Sequence, residues 1–131
     1  MSANIELVKK GFDLFLAGDI PGFLEQLSTD IVWDHRGPEG PPFNRIFKGR
    51  DGVAEFFKTL DETTAMITFE PREHVGHGDR VVSLGYFKWK VKSTGKEWDS
   101  NFAFAYTIKD GRITHWQPFF DMGAEAAAFR S

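Results

Sequence analysis

The chain has no cysteine, which excludes disulfides and thiolate metal sites. It has no apolar run approaching the roughly 20 residues of a membrane-spanning helix, and its first residues lack the basic-then-apolar plan of a secretion signal. A concentration of positive charge is also missing: the formal net charge is -3, and Lys and Arg are scattered along the chain, so there is no footprint for a phosphate backbone. Neither nucleic acid nor a membrane is an expected partner, and a cytoplasmic location is expected. Internal repeats and low-complexity stretches are absent as well. With 131 residues there is room for one core, and residues 1–131 are expected to form a single domain. What the chain does have is aromatic side chains, fourteen Phe and four Trp among a 15% aromatic content. That exceeds what a small core requires and suggests a lined cavity, with a bulky solid core as the alternative.

Hydrophobic spacing changes period midway. Ile5, Val8, Phe12, Phe15 and Leu16 share one helical face from Asn4 to Leu16, and Gly18-Asp19 separates this helix from a second one over Ile20–Leu27. A short strand is expected over Ile31–His35, then a loop with three prolines up to Phe47 that borders a pocket mouth. Val53, Phe56, Phe57 and Leu60 predict a third helix, ending near Thr63. Four extended runs follow, Ile67–Val75, Val81–Lys92, Glu97–Ile108 and Arg112–Phe120, separated by short turn sequences that imply hairpins. Ala124–Phe129 suits a terminal helix. Helices first and a meander afterwards give an α+β fold: a cone-shaped, curved antiparallel sheet wrapped around three N-terminal helices.

Several stretches, in this order, resemble the nuclear-transport-factor-2-like superfamily, which includes ketosteroid isomerases, limonene-epoxide hydrolases and SnoaL-like polyketide cyclases. They are Leu16-Ala17-Gly18-Asp19, Asp30 to His35, Gly49-Arg50-Asp51-Gly52-Val53, and Asp110 to Trp116 leading to Phe119-Phe120-Asp121. The resemblance covers nearly the whole chain and implies a conical fold with a deep pocket. Against the isomerases, His35 falls at the catalytic aspartate, while Gly11 and Phe104 occupy the two oxyanion-donor positions, so a steroid dienolate would lack its main support. Against the epoxide hydrolases, Asp121 matches one catalytic carboxylate, but Gly85 and Phe87 replace the paired arginine and second aspartate. The group implied is therefore the SnoaL-like one.

The candidate catalytic pair is His35 and Asp121. Imidazole titrates near neutrality and serves as acid or base, and a carboxylate following two phenylalanines needs a partner or a proton. The pairing requires a bend at Pro118, because strict alternation from Trp116 turns Asp121 outward; capping the terminal helix is its alternative role. Trp33, Phe87, Trp89 and Phe102 are candidate ligand-binding residues, as are Phe104, Tyr106, Trp116 and Phe120, with packing against the helices as the competing account. The expectation is an apolar, carbonyl-bearing small-molecule ligand, proton-transfer chemistry of isomerase, cyclase or hydrolase type, no cofactor and no metal. A non-catalytic carrier and a dimerisation module with a vestigial pocket are the rivals. Asn101, Ala103 and Ala105 on the outer sheet face favour a homodimer.

Overall fold

In the computed structural model, which describes residues 2–131, helix α1 (Ala3–Leu16) starts at Ser2, whose hydroxyl accepts the Ile5 N–H at 3.2 Å. Val8, Gly11 and Phe12 are its buried face. Helix α2 (Ile20–Glu25) is capped by Asp19, whose carboxylate accepts the Gly22 N–H at 2.9 Å, with Pro21 in the first turn. It ends short of Leu27, because strand β1 (Leu27–Asp34) begins there, four residues before the apolar run that marks it in the sequence. Strand β2 (Ile46–Lys48), at the end of the proline loop, is an addition to the expected elements. Helix α3 (Gly49–Thr63) leads into β3 (Thr64–His77), β4 (Arg80–Val91), β5 (Glu97–Lys109), β6 (Arg112–Phe119) and the terminal helix α4 (Met122–Phe129).

The six strands form one curved, open sheet in the order β2-β1-β6-β5-β4-β3. All neighbours are antiparallel except β1 and β6, which run parallel with Trp33 opposite Trp116. Register shifts in β3 between Met66 and Thr68 and between Pro71 and Glu73 mark irregularities of the kind that bend a strand. Opposite Pro71 stands Gly85, where a Cβ would run into the Glu70 carbonyl oxygen and the Phe102 ring. Helices and sheet meet through aromatic rings: Phe12 of α1 stacks on Phe104 of β5 with centroids 6.2 Å apart, and Phe57 of α3 meets Phe23 of α2 and Trp33 of β1 edge-on. Among the described residues, no helix is long and apolar enough to cross a membrane.

Candidate functional site

Strand β1 carries Trp33 to the concave side, where its ring lies on Trp116 with centroids 3.8 Å apart. The strand stops at Asp34, whose carboxylate accepts bonds from Arg36 Nε at 2.9 Å and Nη2 at 2.8 Å. Those bonds hold the Asp34 carboxyl below the usual carboxylate range. His35 comes next, and its backbone N–H donates to the Arg45 carbonyl at 3.2 Å where the chain returns from the proline loop. The imidazole is only 5% exposed, packed among Phe43, Phe56, Trp116 and Phe120.

Its Nδ1 lies 3.0 Å from Asn44 Oδ1, while the Asn44 amide nitrogen donates to the Pro38 carbonyl at 2.9 Å. Because that nitrogen is committed to Pro38, the oxygen faces the ring, so this hydrogen-bond network assigns the proton to Nδ1 and the lone pair to Nε2. Burial among apolar rings lowers the His35 pKa to about 4, against weaker opposing help from its own backbone, Asn44 and Asp34. At neutral pH the imidazole is uncharged.

Helix α4 packs across the same end of the fold. Phe43 of the proline loop meets Phe129 at 5.7 Å, and Gly37 leaves no room for a side chain beside Met122 and Asn44. This packing turns Glu125 inward, 3% exposed. Burial raises its pKa to about 8, with the Asn44 side chain working the other way. The carboxyl group is therefore protonated near neutrality, and its Oε1 has no hydrogen-bond partner.

His35 and Glu125 are on the wall of an apolar cavity of about 80 Å³. The rest of that wall comes from helix residues such as Phe12, Phe23 and Phe56 and from strand aromatics. Phe15, Phe57, Leu60, Thr64 and Trp89 separate it from a wider hollow of about 590 Å³ that also meets Lys58, Asp61 and Lys92. Burial raises the Tyr106 hydroxyl pKa well above its ordinary value. Among the described residues no three His, Asp or Glu side chains are grouped as a metal site needs.

Trp33, Phe87, Trp89, Phe104, Tyr106, Trp116 and Phe120 line the cavity as the strand pattern suggests. Phe102 is buried but is not on that wall: it stacks on Phe104 at 4.2 Å and fills the niche over Gly85. The structure does not bring His35 and Asp121 together. Trp116, Pro118 and Phe120 all face the cavity, so alternation runs unbroken and Asp121 emerges exposed, its Oδ1 accepting the Ala124 N–H at 2.9 Å as the α4 cap. Sequence reasoning missed Glu125, Asn44 and Trp98. Glu125 had a signal, because it shares a helical stripe with Met122 and Phe129. Asn44 had none, since its place depends on how the loop folds back.

No curated protein matches the chain in sequence. Among solved structures, an NTF2-like protein from Burkholderia xenovorans LB400 is 28% identical, with a TM-score of 0.86 over 97% of this chain and 95% of that one. TerC, co-crystallised with polyporic acid, is also 28% identical, with a TM-score of 0.78 over 99% of this chain and 100% of that one. A cystatin-like-fold protein of unknown function from Xanthomonas campestris, 19% identical over 99% of this chain and 100% of that one, shares the fold at a TM-score of 0.86. The family profile described as SnoaL-like domain matches residues 8–116, and on that match, in keeping with the fold, the chain belongs to the SnoaL-like family.

Proposed function

We propose that this chain takes an apolar, carbonyl-bearing small molecule into its aromatic cavity and moves a proton on it, with His35 as the base. The observation that carries the reading is a neutral imidazole with a lone pair on Nε2, on the wall of an otherwise largely aromatic cavity. Imidazole takes a proton from the carbon next to the carbonyl and the electron pair moves onto the carbonyl oxygen; the imidazolium proton exchanges with solvent, and a proton is then returned to carbon as the carbonyl re-forms. The cycle balances without a cofactor. TerC, co-crystallised with polyporic acid, supports a small-molecule ligand. The cavity is smaller than the roughly 150 Å³ that admits benzene elsewhere, so entry requires the half-buried Phe15 and Phe57 to swing aside and join it to the wider hollow. The working form in this reading is a cytoplasmic homodimer.

A second reading, a carrier without turnover, is favoured by the low His35 pKa, which makes a weak base. Deuterium uptake at the α-carbon of 1-indanone in D2O, followed by NMR, separates the two. The enzyme reading expects uptake above the buffer rate, lost in His35→Phe while the probe still binds. Binding with uptake no faster than in buffer establishes the carrier instead.

A further inference from the structure

Among the described residues, the buried side-chain atoms without hydrogen-bond partners include Trp33 Nε1, Trp98 Nε1 and Glu125 Oε1. All three side chains are on the cavity wall, although buried polar groups are ordinarily paired. An indole N–H can only donate. Phe23, Phe56 and Trp116 around Trp33, and Phe87 and Phe120 around Trp98, offer it no acceptor. Glu125 approaches the same end of the cavity as His35, since both side chains adjoin Asn44.

Building on the reading that the cavity holds a carbonyl-bearing ligand, we propose that Glu125 is the residue that binds the ligand's oxygen. In this assignment its carboxyl group and the Trp33 and Trp98 indoles form a donor lining that selects ligands presenting acceptor oxygens over ligands of equal shape without them. The carboxyl donates because burial keeps it protonated up to about pH 8. A hydrogen bond to the carbonyl oxygen also offsets the negative charge that gathers there when His35 removes a proton, which is the support a weak base needs. The two donor positions that the resemblance to the isomerases implies, on α1 and β5, are Gly11 and Phe104 here. Glycine has no donor side chain, and a Cβ at Gly11 would come within 2.6 Å of Gln26 Oε1, the far end of a side chain that can shift, and 3.2 Å of the Phe23 ring; in this assignment the donor comes from α4.

The test compares 1-indanone with indane, flat molecules of nearly equal shape that differ by one carbonyl oxygen, by titration calorimetry. The wild-type protein at pH 7 is expected to bind 1-indanone about ten-fold more tightly or better. Glu125→Gln, whose amide still donates, keeps the preference; Glu125→Leu loses it while indane affinity holds. Raising the pH from 7 to 9 removes the preference in wild type but not in Glu125→Gln. The other titratable groups on the wall are His35, already neutral above about pH 4, and Tyr106, whose hydroxyl burial keeps protonated. Outside it, Lys96 is turned to the Arg130 carbonyl at 2.6 Å, beyond the end of α4.

Equal affinity for both probes in wild type overturns the assignment and leaves the orphaned groups to buried water, with the ligand pocket intact. An undiminished preference in Glu125→Leu also overturns it. If neither probe binds, the pocket reading itself fails and this assignment falls with it. Should Glu125→Leu not fold, the pH profiles of wild type and Glu125→Gln decide alone.

Discussion

His35 and Glu125 respond to the same burial in opposite directions, and stability should record both. His35 has a folded pKa of about 4 against an ordinary 6.5, so the unfolded chain binds more protons and stability rises with pH between those values. Glu125 has a folded pKa of about 8 against an ordinary 4.5, so the folded chain binds more protons and stability falls as pH rises through that window. Where the windows overlap the two slopes cancel. Above about pH 6.5 Glu125 acts alone, and at about 1.4 kcal/mol per pH unit the loss by pH 8 is about 2 kcal/mol. Urea unfolding at a series of pH values should show a plateau near pH 5 to 6 and then this decline. Glu125→Gln should abolish the decline; a decline that persists in the variant rules out Glu125 as its source. Asp34 is a carboxyl whose pKa Arg36 lowers, so its contribution is present above its unfolded pKa and is lost as pH falls through its folded one. At this scale the inward placement of His35 was legible, because it ends an apolar strand on the side that Trp33 shares. Its partner was not, because Asn44 is a polar residue in a loop and only the folded return of that loop brings it to Nδ1.

The terminal helix shows how one element changes the roles of two carboxylates. Asp121 looked like the cavity's carboxylate because it follows Phe119 and Phe120, but the unbroken alternation of β6 spends it on capping α4. The helix it caps then carries Glu125 inward. Asp121→Ala should therefore cost about 1 kcal/mol of stability through the lost cap. It should leave proton exchange on 1-indanone at the wild-type rate wherever the protein remains folded. Thermal unfolding and NMR read the two effects separately, and a loss of exchange in the folded variant would return Asp121 to the chemistry. The proline loop and α4 form one lid over this end, joined by Phe43 and Phe129. Helices α1 and α3 and the four long strands were legible because their apolar residues keep one period over many residues. Strand β2 escaped because three residues after a proline loop carry no period at all. The early start of β1 escaped because Leu27 and Ile31 also fit the end of a helix. On α3, Phe57 belongs to the wall between the two hollows, and Phe57→Ala should speed probe entry severalfold in stopped-flow tryptophan fluorescence if that wall is the way in.

Cavity volume is a property of the whole molecule, being what remains after every ring has packed, and no residue pattern encodes it. The outer face of the sheet is legible, because period-two alternation assigns each strand residue to a side. Cross-strand partners there run Leu84, Ala103, Phe119 in one row and Val82, Ala105, Gln117 in the next. Val75 lies opposite Val82 at the β3 edge. Leu84 is 38% exposed, and Val75 and Phe119 are each 53% exposed. Apolar side chains grouped in this way on a monomer carry a solubility cost, which a partner removes. The two alanines between them leave a shallow floor that a second sheet can approach closely, so a homodimer on this face covers Leu84 and Phe119 at once. A stable pair requires about 800 Å² buried on each copy, which these central rows can supply only together with the polar side chains around them. Light scattering coupled to size exclusion should find the wild-type chain at twice its 14.9 kDa mass. Phe119→Glu combined with Leu84→Lys should elute as a monomer with an unchanged circular dichroism spectrum, because both side chains point away from the core. A wild-type chain that stays monomeric at every concentration would remove the dimer and leave the exposed row without a partner.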